Sequence, residues 1–239
     1  MKDEDGDLIQ AAWYGALPVY GQAPPSPEII RNTDDVINKC NLANKPERTG
    51  PYEAYSGDTK VAPAHIIFRD ISPGSTDEIL DILKGRNHTK ATFFAHGDTI
   101  VSEESQKLLK RIVKEGHSIG SMGYKPVDFL YANNSYIEEQ IVSADEQFKK
   151  VLGYAPRLFL PTFGALDALS YNILTQLGKA VVLWSAGANG FYFINNPDFD
   201  VNTAVAALRY TLPEAGGIIL MPTDSSVLKE YFAQVWEFW

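Results

Sequence analysis

The chain has 239 residues, of which 45% are hydrophobic, enough for one large α/β domain or two small ones with a sizeable core. Its formal net charge is -9 and its pI about 4.9. That balance, with no basic stripe, argues against a nucleic-acid partner and against anionic membranes, whereas a neutral polysaccharide makes no charge demand.

Residues 1–62 are broken by Pro18, Pro24, Pro25, Pro27, Pro46 and Pro51 and show little periodicity. They are expected to form a Pro-rich N-terminal extension wrapping the domain, with a short helix near Asp34 to Lys39. Residues 63–239 then form the domain itself. Short apolar runs alternate there with helical patterns, as in repeated βα units around a largely parallel sheet. The expected strands are His65–Arg69, Thr89–Ala95, Ser118–Ser121, Leu158–Leu160, Ala180–Trp184 and Gly217–Met221. A first helix starts near Ser75-Thr76-Asp77-Glu78. A second follows Ser102-Glu103-Glu104 and ends at Gly116. A third opens on the capping box Ser135-Tyr136-Ile137-Glu138 and ends at Gly153. A fourth runs from Asp167 to Gly178, and a fifth covers about Asn202 to Ala215. Barrel-like closure suits this order better than an open sheet.

Cys40 is the one cysteine, so no intramolecular disulfide forms. By itself this favours a reducing compartment. The sequons Asn87-His88-Thr89 and Asn133-Asn134-Ser135 point the other way, making Asn87 and Asn133 candidate glycosylation sites. Met1-Lys2-Asp3-Glu4-Asp5 has no apolar h-region and is not a signal peptide. No apolar run reaches membrane-spanning length.

Five segments carry a resemblance: Phe68-Arg69-Asp70, Ala91-Thr92-Phe93-Phe94, Gly116 to Pro126, Leu160-Pro161-Thr162-Phe163-Gly164 and Ile218-Ile219-Leu220-Met221-Pro222. In that order and spacing they resemble the polysaccharide deacetylases, the NodB-homology proteins of carbohydrate esterase family four, which include chitin deacetylases. The resemblance covers roughly Ala64 to Asp224. It implies an irregular (β/α) barrel with its site at the C-terminal ends of the strands. It also implies zinc held by one Asp and two His, an Asp base and a His acid, acting together on an acetamide.

Set against that pattern, the chemistry is missing. Asp70 matches the metal-binding Asp and is vestigial. Arg69 stands at the base position, where an always-charged guanidinium has no acceptor for a proton. It would oppose a nearby cation by about 4 kcal/mol per unit charge 4 Å away at an effective dielectric of 20, or it pairs with Asp70. Met122 and Pro126 fall where the resemblance implies the two histidine ligands. Leu160 replaces an arginine, and Gly187, with Ala186 and Ala188 beside it, falls at the acid that would orient it. Pro222 lies at the general acid. Catalytic residues are therefore not expected, and neither is a bound metal or other cofactor, zinc being the family's ion. His117 reads as a satisfied core histidine.

A rearranged site is conceivable from Asp70, His96 and Asp98, because His96 follows the second strand and could face Asp70. His65, five residues before Asp70, should point to the opposite face. Ser143 and Ser170 lack a Gly-x-Ser-x-Gly elbow, and Cys40 has no nearby histidine. Tyr124, Phe163 and Trp184 either line a residual groove for a β-linked N-acetylglucosamine polymer such as chitin, or plug a collapsed site. The expected role is that of a pseudoenzyme, secreted or associated with a cell wall or spore wall, which binds such a polymer. An active metal-dependent N-deacetylase with a rearranged site, and a structural or protein-interaction role, are the alternatives.

Overall fold

The computed structural model describes residues 53–54, 65–86, 89–184, 186–187 and 218–223. The helices expected at Asp34 to Lys39 and at Asn202 to Ala215 lie outside these residues, as do Cys40, Asn87, His88 and Asp224. Among these residues eight strands form one parallel sheet: β1 (Glu53–Ala54), β2 (His65–Arg69), β3 (Thr92–Ala95), β4 (Ser118–Ser121), β5 (Leu158–Phe159), β6 (Ala180–Val182), β7 (Ala186–Gly187) and β8 (Ile218–Pro222). Their spatial order is β1-β6-β5-β4-β3-β2-β8-β7, every neighbouring pair being parallel. The sheet curls as an irregular (β/α) barrel with helices outside it. Glu53–Ala54, inside the expected N-terminal wrap, adds a strand to the sheet beside β6.

Among the described residues four helices connect these strands: α1 (Ser75–Gly85), α2 (Glu103–Lys114), α3 (Asn134–Leu152) and α4 (Ala168–Gln176). A short 3-10 turn, Asp98–Ile100, precedes α2. Caps explain where they start. The Ser102 hydroxyl accepts from the Ser105 N–H at 3.1 Å, and the Asp167 carboxylate from the Ser170 N–H at 2.7 Å. At α3 the structure corrects the expected start. Asn133 Oδ1, not the Ser135 hydroxyl, accepts from the Tyr136 N–H, at 2.9 Å, so the helix begins two residues sooner than the capping-box reading. It stops at Gly153, whose φ of 83° only glycine adopts readily. Arg111 on α2 ties the outer helices together by pairing with Asp77 and Asp81 of α1 and with Glu115.

The period of two along the strands sorts the core into distinct faces. Ile66, Phe68, Phe93, Ala95, Ile119, Ile219 and Met221 pack outward against α1, α2 and α3. Phe159, Val181 and Leu183 pack outward with residues of α3 and α4. Ile67, Phe94, Met122, Leu160, Val182, Trp184, Ile218 and Leu220 form a third cluster of the alternate residues, filling the barrel. Lys179, at the start of β6, is buried but paired with Asp145 of α3, and its ammonium donates to Pro156 O at 2.9 Å.

His117 matches its expectation as a core histidine: it is 7% exposed and its Nδ1 accepts from the Ala91 N–H at 3.2 Å. Burial, helped by the charge of Lys90 and opposed by Glu115, pushes its pKa down, consistent with a neutral ring.

Gly120 shows how tightly the barrel interior is filled. It stands opposite Phe94 in the β3–β4 register, and a Cβ there would lie 2.1 Å from the fully buried Phe94 ring. Gly120→Ala should therefore destabilise the protein by about 3 kcal/mol, read as a fall in the urea midpoint with an unchanged denaturant slope.

Candidate functional site

The C-terminal ends of β2, β3 and the segment after β5 converge on a polar cluster above the apolar filling. It is built on one irregular residue. Asp70 has φ 58°, the only non-glycine residue with positive φ among those described. Aspartate tolerates the left-handed region better than most side chains. By alternation Asp70 would follow Ile66 and Phe68 to the outer face; the left-handed turn breaks that alternation. The Thr223 hydroxyl donates to the Asp70 carbonyl and, at 3.2 Å, to that of Arg69, fixing the turn from the end of β8.

Two partners hold the Asp70 carboxylate. Arg69 Nε lies 3.3 Å from Oδ2, and His96 Nδ1 lies 3.2 Å from Oδ1. Burial pushes the Asp70 pKa up, but the hydrogen bond from His96 and the charges of Arg69 and His96 outweigh it. The net effect is a carboxyl below its usual 3.8, ionised at neutral pH. His96 is 1% exposed, and its other ring nitrogen, Nε2, lies 3.1 Å from Thr162 Oγ1. An ionised carboxylate only accepts, so Nδ1 carries the hydrogen facing Asp70. In the neutral ring Nε2 is then an acceptor, and the Thr162 hydroxyl donates to it.

The other expected positions fall as follows. Met122 is buried in the barrel-filling cluster, and Leu160 lies in the same cluster, its N–H donating to Ser121 O at 2.9 Å. Pro126 is exposed on the loop after β4. Gly187 and Pro222 contribute backbone to β7 and β8, Pro222 standing opposite Arg69. Asp98 starts the 3-10 turn, its N–H donating to Tyr124 O at 3.0 Å, and its buried Oδ1 has no hydrogen-bond partner among the described residues. Among the described residues it does not complete a three-donor cluster with Asp70 and His96, so the conceivable Asp70/His96/Asp98 arrangement is not formed there. Trp184 is 6% exposed and packs inside the barrel, so in this structure it plugs the interior and presents no face to a sugar. Tyr124 and Phe163 are half-buried. Tyr124 also borders a shallow surface groove lined by Lys125, Tyr136 and Glu139. Asn133 is exposed, with its amide oxygen engaged as the α3 cap. Sequence reasoning brought His96 to Asp70 and missed Thr162. Its signal was present in the Leu-Pro-Thr-Phe-Gly loop, where a hydroxyl sits at the tip of the neighbouring turn.

The chain belongs to the polysaccharide deacetylase family, whose model matches residues 56–182. It is 33% identical over 134 residues to a peptidoglycan-N-acetylglucosamine deacetylase of Bacillus cereus, a stretch that is 55% of this chain and 47% of that protein. The chain thus spans half or less of the length of such curated relatives. Among solved structures, it superposes on a hydroxamate complex of a peptidoglycan N-acetylglucosamine deacetylase with TM-score 0.67 and 26% identity, covering 76% of this chain and 82% of the other. A chitin deacetylase of Colletotrichum lindemuthianum gives TM-score 0.71 at 19% identity, covering 80% and 86%. A mutant of a family-four pseudoenzyme with restored enzymatic activity gives 0.67 at 17%, covering 87% and 80%. At these last two identities the likeness is one of fold.

The family is metal-dependent. The residues described here do not fit a zinc ion. Among them no group of three or more His, Cys, Asp or Glu side chains converges. The two nearest donors, Asp70 and His96, are bonded to one another, with a guanidinium at the second carboxylate oxygen. A zinc site takes three or four protein ligands, and a guanidinium paired with one of them opposes the ion's charge.

Asp70 can be tested through its charge. Its folded pKa is depressed, so its contribution to stability is complete above the ordinary carboxylate range and is lost as pH falls through the folded value. Asp70→Asn should lower the unfolding free energy by about 2 kcal/mol at neutral pH. The gap between the two proteins should narrow from about pH 5 to pH 3, followed by urea unfolding at each pH.

Proposed function

We propose that this protein is a wall-polymer-binding member of the polysaccharide deacetylase family that has lost metal-dependent N-deacetylation. The observation that carries this reading is the ion pair at Asp70. The carboxylate that matches the family's metal ligand already has its cation, Arg69, supplied by the chain. A zinc ion would have to displace a covalently tethered guanidinium and break the His96 hydrogen bond. The apolar setting of Met122 argues in the same direction. Where the resemblance implies an imidazole, a thioether packs against Phe94, Leu160 and Trp184.

The polymer class follows from the relatives. Their names point to the N-acetylglucosamine units of peptidoglycan, and one fold neighbour is a chitin deacetylase. Both polymers present uncharged pyranose faces with acetamide groups. Such faces stack on aromatic rings, and Phe163, half-buried beside Thr162 at the site, together with Tyr124 on the groove side, supplies them. An acidic protein has no electrostatic need for a charged ligand here. Association with a wall outside the cell, and glycosylation at Asn133, belong to the same reading. No described helix is long and apolar enough to cross a membrane.

The test has two arms. Protein offered excess zinc and then desalted should retain far less than one equivalent, and acetate release from N-acetylglucosamine oligomers should stay at the buffer rate. The same protein should pellet with insoluble chitin or peptidoglycan, and Phe163→Ala should weaken that binding about fivefold to tenfold. One equivalent of zinc together with acetate release would establish the rearranged metalloenzyme instead. Failure to pellet with either polymer would favour a protein-interaction role.

A further inference from the structure

Arg69, Asp70, His96 and Thr162 form a continuous polar chain across three strand ends. Its last three members stand in a specific relation. A carboxylate oxygen contacts one nitrogen of an imidazole at 3.2 Å, and the opposite nitrogen contacts an aliphatic hydroxyl at 3.1 Å. Carboxylate, imidazole and hydroxyl in this order make an acyl-transfer relay, recognised by geometry and roles rather than by fold or chain order. Both spacings fall within the reach a general base needs. Arg69 pairs with the outer carboxylate oxygen and leaves the inner one to the imidazole.

The surroundings agree with the same use. His96 is nearly inaccessible, which holds one ring orientation, while Thr162 is half-buried and so within reach of a small molecule. The turn carrying Thr162 is closed by the Gly164 N–H donating to Pro161 O at 2.9 Å. The next amide, the Phe163 N–H, has no acceptor among the described residues. The amide following the nucleophile is a recurrent donor to the oxyanion of a tetrahedral intermediate.

We propose that Thr162, with His96 as base and Asp70 as its positioning carboxylate, is a metal-independent nucleophile toward small acyl esters. Thr162 Oγ attacks the ester carbonyl carbon while its proton passes to His96 Nε2. The tetrahedral intermediate collapses with cleavage of the bond to the alkoxy oxygen, and the departing alcohol takes the proton from His96. An acyl-threonine ester remains. Water, deprotonated by His96, attacks that ester, which releases the carboxylic acid and restores the Thr162 hydroxyl. No oxidant, reductant or second cofactor is needed. Esters rather than amides are the substrates because an amide carbon is the poorer electrophile and an amine the poorer leaving group. This activity goes beyond the polymer-binding reading and does not rest on it.

The test uses the full chain, freed of metal with excess EDTA, and p-nitrophenyl acetate as probe. Peptide mass spectrometry after acid quench should find an acetyl group on Thr162, with release of p-nitrophenolate above the buffer rate. Thr162→Ala should remove that adduct. Thr162→Ser, which keeps the hydroxyl and relieves the β-branch, should retain it. His96→Gln should slow the release about a hundredfold or more. Circular dichroism and the urea midpoint check that each variant is folded. Three results would each overturn the proposal: acetylation confined to lysines, a rate unchanged in folded Thr162→Ala, or a rate that appears only when zinc is restored. The EDTA and added-zinc arms keep it distinct from a metalloenzyme, and chitin or peptidoglycan pelleting is unaffected by either outcome.

Discussion

A carboxylate placed at the mouth of a parallel barrel must be compensated, and how it is compensated decides what the mouth can do. Here the compensation is organic. Asp70 is turned out of its strand by a left-handed backbone and held between a guanidinium and an imidazole. Burial opposes its charge, and those two neighbours more than restore it. A dissociable metal and tethered side chains give such a mouth different chemistry. A bound ion polarises a carbonyl and activates water, whereas an imidazole between a carboxylate and a hydroxyl moves a proton along a fixed line.

The apolar layer beneath reinforces that choice. Phe94, Met122, Leu160 and Trp184 fill the barrel up to the level of the polar cluster. The close approach of Gly120 to the Phe94 ring leaves no slack there. A histidine introduced at Met122 would enter this packing, not an aqueous cleft, and would face desolvation before it met any ion. The packing at Met122 therefore disfavours a metal donor there independently of the residue itself.

Much of the frame was legible because it depends on local patterns with a strong physical cause. The short apolar runs place His65–Arg69 and Ser118–Ser121 to the residue, and the caps at Ser102 and Asp167 set where α2 and α4 start, while their ends fall two residues before the expected glycines. The start of α3 was misplaced because two side chains competed for one role, and Asn133 captures the Tyr136 amide before the Ser135 box can form. Strands β1 and β7, with two residues each, carry no period to read, since backbone pairing with β6 and β8 defines them. At the site, the spacing after Phe93-Phe94 placed His96 against Asp70. The contact to Thr162 joins residues 66 positions apart and follows from the relative placement of β3 and β5, which no local pattern encodes. The role of Trp184 was left open for a related reason: alternation along Ala180–Trp184 assigns it the inward face, but only the packed barrel shows that this face is filled.

The fold is held together independently of its site. In small metallo-domains the ion contributes directly to folding free energy, so losing its ligands unfolds the chain. Here the apolar clusters lie on both faces of the sheet, and none of them requires an ion to close. The residues that fill the core and those of the polar cluster are different sets, with Asp70 at the boundary between them. Arginine at position 69 supplies a tethered charge that helps keep the half-buried Asp70 ionised. The same paired carboxylate holds His96 with its other ring nitrogen 3.1 Å from the Thr162 hydroxyl, so the ion pair and the hydrogen-bond chain share one anchor.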